Sequence, residues 1–419
     1  MFDVASSTYA ALVPIFFGLY FAKVVARGDP SAGAWWGVIA ATGLVLAGVL
    51  APIAGAHADR TARWFRLIVV APALCVLATS LLPSAAARGV VAAGAVFVVA
   101  QVGYTMATSV YDSLVVDVAP AGRRGRISAL GWALGLLGGI VAIAAALLLM
   151  RDEPPATQVE RLGDVFSAAA ALFAVLALPG FAGLRGLRQP AAPPHAAAGL
   201  AASLRAVGST LRVWREHRQA LQVLLSFFLI NDVLVTIQFF VAIVLSNRFG
   251  LTVEGLLGLS LLYHLIAIPS TLAFGALADH WGAKPTVLLM CAKLAAAILL
   301  LAVGRGVWVP AAAVGLLGLV MASTQAVFRS LYASQVRPAQ AAELFGFNAV
   351  AGRLSAALGP LVFGFAAAAL GSETWALFLL LLPIAAGVWL LVVTDLGRPR
   401  ANGVPARTCV GDVPEQASR

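Results

Sequence analysis

A chain of 419 residues that is 61% hydrophobic and only 11% charged carries more apolar surface than a soluble domain of that size can bury. The composition therefore excludes a soluble fold and points to a polytopic helical membrane protein. The formal net charge of +10 does not imply nucleic acid, because the basic residues sit beside apolar runs, where they orient spans.

Twelve apolar spans are predicted, at 4–26, 32–54, 67–84, 89–116, 127–149, 163–183, 219–246, 252–276, 285–303, 308–334, 345–370 and 374–394. Each is long enough for a bilayer core of ~30 Å, which takes roughly 20 helical residues. The first apolar run starts at Val4 with no basic n-region, so no cleavable signal peptide is expected. So little chain precedes it that a true start upstream of Met1 stays open. An even number of spans puts both ends on one side. One set of loops and the tail hold 18 of the 28 Lys and Arg residues, the other side holds seven, and Lys293, Arg329 and Arg353 fall inside spans. Both termini are therefore expected to be cytoplasmic.

The longest segment between spans divides them six and six. Its first part, Gln189 to Ala198, is rich in Pro and Ala and reads as a flexible linker. Leu200, Leu204, Val207, Leu211 and Trp214 then share one helical face, with Arg205, Arg212, Arg215 and Arg218 elsewhere. That suits a helix on an anionic leaflet and equally a solvated connector. The expected organisation is a six-helix bundle over 1–184, a cytoplasmic linker over 185–218, a second bundle over 219–396 and a disordered tail over 397–419. The cysteines (Cys75, Cys291, Cys409) lie far apart, so neither a disulfide framework nor a metal site is read, and no cofactor is expected.

The two sets of spans repeat one another. Val110-Tyr111-Asp112-Ser113-Leu114 returns 217 residues later as Val327-Phe328-Arg329-Ser330-Leu331. Gly55-Ala56-His57-Ala58-Asp59-Arg60, with Arg63 behind it, returns 220 residues later as Gly275-Ala276-Leu277-Ala278-Asp279-His280, with Gly282 and Lys284 behind it. Similar offsets mean parallel repeats.

These two segments resemble the G-x-x-x-D-R-x-G-R loop motif of the major facilitator superfamily. The first copy has Ala62 at the second glycine, and the second has His280 for the arginine. The stretches Phe2–Ala10, Tyr111–Pro120, Arg124–Gly139, Phe228–Thr236 and Phe328–Val336 resemble the vacuole effluxer family related to an autophagy protein of yeast, which has bacterial members. The resemblance implies twelve transmembrane helices as two six-helix pseudo-repeats, in an all-α polytopic fold. It also implies a secondary active transporter of the bacterial inner membrane, not an enzyme. Transport would run by alternating access through a cavity lined by spans one, four, seven and ten. Amino-acid export is the favoured activity, with a drug, sugar or other metabolite exporter as the alternative. The expected partners are a small-molecule substrate, protons as a candidate coupling ion and the lipid bilayer. Nucleic acid is not expected, and the chain is expected to be monomeric.

Ionisable groups inside spans cost ~2.5–3.5 kcal/mol each, so each calls for a partner or a wet cavity. Asp232, with Asn231, lies near the middle of span seven. It reads as a substrate-amine ligand or proton-coupling carboxylate, with a helix-capping acid as the plainer reading. Gln101 and Tyr104 in span four and Gln325 in span ten lie at similar depth and can hydrogen-bond a polar ligand or a neighbouring helix. Ser6, Ser7 and Tyr9 open span one, and Asp3 lies nearer its cytoplasmic mouth. Asp112 and Arg329 occupy equivalent positions close to the cytoplasmic loops, which favours an inner gate between the halves over a substrate site. Arg353 is grouped with them, paired to a loop acid such as Asp279 or Glu343. His264 reads as a packing histidine and Lys293 as a snorkelling lysine. Gly131, Gly135, Gly138 and Gly139 in span five, and Gly352, Gly359 and Gly364 in span eleven, read as surfaces of close helix approach.

Overall fold

The computed structural model describes residues 1–61, 64–118, 124–185, 218–335, 352 and 355–394, among which there is no strand. Helix is the outcome expected of long apolar runs, because backbone polar groups in lipid must be satisfied within their own segment. In chain order the helices are α1 (Phe2–Tyr20, continued by a π-helical stretch over Phe21–Val25), α2 (Ala32–Thr61), α3 (Trp64–Ala86), α4 (Val90–Val118), α5 (Arg124–Met150) and α6 (Leu162–Leu184). The second set is α7 (Arg218–Phe249), α8 (Val253–Trp281), α9 (Ala283–Val303), α10 (Val309–Gln335), α11 (Leu358–Leu370), α12 (Glu373–Leu379) and α13 (Leu381–Val393). Among the described residues, nine spans are long and apolar enough to cross a membrane. Three shorter apolar stretches, Leu134–Met150, Val309–Gln325 and Leu358–Leu370, fall at the fifth, tenth and eleventh predicted spans. Large apolar side chains such as Leu148, Leu178, Leu272 and Trp389 are more than 60% exposed, as expected of surfaces facing lipid rather than water.

Three boundaries differ from the sequence expectation. The first motif copy is not a loop: Gly55, Asp59 and Arg60 stand on the helical backbone of α2. Hydropathy marks where the membrane ends, not where a helix does, so α2 continues beyond its apolar run. The second copy behaves alike. Gly275 and Asp279 belong to α8, and the turn is confined to Gly282 at φ 96°, a conformation that glycine adopts without a Cβ penalty. Lys284 follows in α9, and its Nζ donates to the carbonyls of Val392 (3.3 Å) and Thr394 (2.9 Å). It thereby caps the end of α13. The twelfth span is two helices, divided at Leu380. Arg63, the connector helix and the tail lie outside the described residues, as does most of the first part of span eleven.

Within the first half, α1 packs on α5 and α6, and α4 on α2 and α3; within the second, α7 packs on α10, α11 and α13, and α8 on α10. The halves meet along α2–α11, α1–α7 and α5–α8. A Cβ on Gly37 would stand 2.5 Å from the Pro360 carbonyl oxygen, so α2 and α11 approach backbone to backbone there. The Trp36 indole N–H donates to the Phe239 carbonyl (2.9 Å), and the Glu254 N–H to Gln158 Oε1 (3.2 Å). Phe17, Phe97, Trp36 and Phe239 stack with ring centroids 4.9–6.4 Å apart. Through Phe239, Pro360 and Glu254 these contacts join the halves toward the end of the molecule where α1 gives way to α2. The turn at that end is fixed by Asp29, which accepts from both the hydroxyl and the N–H of Ser31. Those bonds hold the Asp29 carboxyl below its ordinary pKa.

Candidate functional site

A cavity of about 460 Å³ lies between the halves. It is lined from α1, α4 and α5 on one side and from α7, α8 and α10 on the other, with Leu44 of α2 at its edge. Its polar residues are Asp3, Ser6, Ser7, Gln101, Tyr104, Thr108, Gln238, Ser260, Tyr263, His264 and Gln325, set among apolar side chains. An apolar wall with a few convergent polar groups is the usual make-up of a small-molecule site.

The first half supplies a braced polar wall. The Tyr9 hydroxyl donates to Gln101 Oε1 (3.1 Å), and the Tyr9 ring stacks on Tyr104 at 4.9 Å. The Tyr111 hydroxyl donates to Asp3 Oδ2 (2.8 Å). The glycines of α5 make this possible. A Cβ on Gly131 would stand 2.8 Å from Asp3 Oδ2, one on Gly135 would stand 2.9 Å from the Ser7 hydroxyl, and one on Gly138 would run into the Val4 carbonyl. The α1–α5 seam is therefore a close backbone approach, as the glycine pattern predicts.

The second half contributes amide, hydroxyl and imidazole groups. His264 Nδ1 lies 2.8 Å from the Ser260 carbonyl oxygen. A carbonyl can only accept, so this contact puts a proton on Nδ1. The Nε2 edge of the ring packs on Gly139 of α5, where a Cβ would stand 2.6 Å from Nε2. His264 is thus a packing histidine, as expected, and also part of the cavity wall.

The structure gathers Ser6, Ser7, Gln101, Tyr104 and Gln325 around this cavity, but not Asp232 and Asn231. The lining face of α7 is centred on Leu234, Gln238, Val241 and Leu245. Asn231 continues that stripe but is buried outside the lining set. Asp232 stands about 100° further round the helix, and its carboxylate turns to α11. There Oδ1 accepts the Gly359 N–H at 2.7 Å. Gly359 is the second residue of α11, and N–H groups in a first turn have no partner within their own helix. Asp232 therefore caps α11 from a neighbouring helix, the plainer of its two expected roles.

Asp112 and Arg329 stand on the backbones of α4 and α10; their side chains, like Arg353 and the side chains of Gly55–Arg60, lie outside the described residues. Sequence reasoning missed Gln238, Thr108, Ser260 and Tyr263. For Gln238 the signal was available: it lies seven residues after Asn231, which keeps it on the same helical face.

Comparison with known proteins sets this site in a family context. Residues 116–403 match the family described as vacuole effluxer Atg22 like. A Bacillus subtilis (strain 168) protein described as the uncharacterized MFS-type transporter YxiO is 25% identical over 410 residues, covering 93% of this chain and 92% of that protein. The inward-open structure of the xylose transporter XylE from E. coli superposes with a TM-score of 0.71 at 14% identity, covering 96% of this chain and 95% of that one. The nucleoside transporter NupG superposes with a TM-score of 0.67 at 16% identity, covering 93% and 95%. At these identities the solved structures speak to the fold, which is that of the major facilitator transporters.

Proposed function

The chain belongs to the vacuole effluxer Atg22-like family and is a multi-pass membrane transporter of a small solute; from that premise we propose that it exports amino acids by alternating access through the cavity between its halves. The observation that supports this is the polar lining shared by both halves, with Gln101, Gln238 and Gln325 supplying amides and Ser6, Ser7 and Tyr104 hydroxyls. Such groups both donate to and accept from a zwitterion. The α2–α11, α1–α7 and α5–α8 contacts separate as the halves rock. An inner gate built from Asp112 and Arg329, with Arg353, forms on the opposite side. Protons are the coupling ion. The protein works as a monomer in the bacterial inner membrane with both termini cytoplasmic, the 185–218 segment joining the halves and 397–419 forming a free tail.

A second reading, a sugar or nucleoside carrier, is favoured by the same three amides, which suit hydroxyl-rich solutes, and by the likeness to xylose and nucleoside transporters. Counterflow in proteoliposomes decides between them, because it needs no driving force and so no choice of coupling ion. Saturable exchange within a panel of labelled amino acids is the expected result. Exchange of xylose or nucleosides alone would transfer the site to the second reading, and silence toward every amino acid from folded protein would overturn the first.

A further inference from the structure

We propose that Asp3 is the amine-binding residue of the cavity, so that the transported solute carries a primary ammonium group and meets the protein through this carboxylate. The inference deepens the amino-acid reading and rests on it for the location of the site. Among the described residues lining the cavity, the ionisable acid–base side chains other than tyrosine are Asp3 and His264, with no lysine or arginine beside them. The Nδ1–H of His264 is spent on the Ser260 carbonyl, and its Nε2 edge packs on Gly139. Among the described lining residues the one acid is Asp3, and its carboxylate attracts a cation.

The carboxylate is built in rather than merely present. Tyr111 reaches across from α4 to hold Oδ2 at 2.8 Å, and Gly131 leaves the room beside it. Among the described residues Oδ1 makes no hydrogen bond. A carboxylate oxygen offered to the cavity is a good partner for an ammonium group, because charge-assisted bonds are the strong ones. Asp232 provides the internal control. It is an acid on the first helix of the other half with one carboxylate oxygen likewise held, by the Gly359 N–H, but it does not line the cavity.

The test is the melting temperature of the purified full-length protein in amine-free buffer, with leucine, isoamylamine (the same side chain without the carboxylate) and isocaproate (without the amine), followed by the matching sets for other amino acids. Wild type is expected to be stabilised by amino acid and amine but not by the acid. Asp3→Asn is expected to weaken the amine response by about tenfold or more in half-maximal concentration, the scale of one charge-assisted bond. Asp3→Glu should recover part of it and Asp232→Asn should keep it. Equal stabilisation by isocaproate, an amine response that survives in Asp3→Asn, or no response of wild type to any amine in the sets would each overturn the proposal. If Asp3→Asn does not fold, Tyr111→Phe replaces it, and an unchanged half-maximal amine concentration in that variant overturns the proposal. Failures of the two readings look different. An amine response lost in Asp3→Asn, with no amino-acid counterflow, keeps the amine site and removes the amino-acid reading. Undiminished amino-acid counterflow by Asp3→Asn does the reverse.

Discussion

Asp3 and Asp232 sit in closely similar settings and end in different roles. Each is followed by valine on the first helix of its half. Each faces a glycine of that half's fifth helix, within Ser128-Ala129-Leu130-Gly131 in one case and Ser355-Ala356-Ala357-Leu358-Gly359 in the other. The difference lies in the fifth helices. α5 is continuous from Arg124 to Met150, so the Gly131 N–H is engaged within its own helix. α11 begins at Leu358, so the Gly359 N–H has no such partner and takes the Asp232 carboxylate. Asp3 finds no backbone donor there, accepts from the Tyr111 hydroxyl instead, and stays on the cavity wall. Whether a helix starts beside an acid thus decides whether that acid serves the fold or the solute.

The comparison can be broken most severely at the seam that carries Asp3. Gly138→Val places a side chain against the Val4 carbonyl, a contact between two backbones that no rotamer change relieves. A loss of about 3 kcal/mol or more is expected, seen as a collapse in the yield of monodisperse protein. Removing the cap in the other half costs less. Asp232→Ala leaves the Gly359 N–H without its partner, for roughly 1–3 kcal/mol. Thermal melting in detergent should register this while the amine response of the remaining folded protein is unchanged.

The paired glycines sharpen the contrast. Gly359→Ala brings a methyl group against the Thr236 hydroxyl and within 2.8 Å of Asp232 Oδ2. Melting should fall by about 1 kcal/mol, since only side-chain ends must give way. Gly131→Ala pushes on Asp3 instead, so its main effect should appear in the half-maximal solute concentration. The smallest effect is expected of Tyr111→Phe, which removes one hydrogen bond and leaves the Asp3 carboxyl group in place. An affinity loss of about 1 kcal/mol, roughly fivefold, is the scale to look for in the same titration.

Much of this architecture is legible in the sequence because membrane helices are defined by length and apolarity. The twelve spans follow from those properties, and the repeat of Asp112 at Arg329 from the matching residues around them. Gln101, Tyr104 and Gln325, expected at one depth, line one cavity with Ser6 and Ser7. Azimuth was harder. Asp232 stands one residue off the stripe through Asn231 and Gln238, so its carboxylate faces the start of α11 and not the cavity. The start of α11 at Leu358 left no mark in the sequence, since Ala356 and Ala357 are good helix formers. Asp3, at the opening of span one, read as part of the mouth; only the Tyr111 contact from another helix identifies it as part of the wall.

The central claim is that solute meets the protein at Asp3, in the cavity between the halves. The most direct test is amino-acid counterflow by wild type, Asp3→Asn and Asp232→Asn, reconstituted side by side at matched amounts of folded protein. The account predicts saturable exchange by wild type and by Asp232→Asn, and its loss in Asp3→Asn. Exchange that survives in Asp3→Asn and disappears in Asp232→Asn would contradict it, and would move the site to the acid assigned here to the cap of α11.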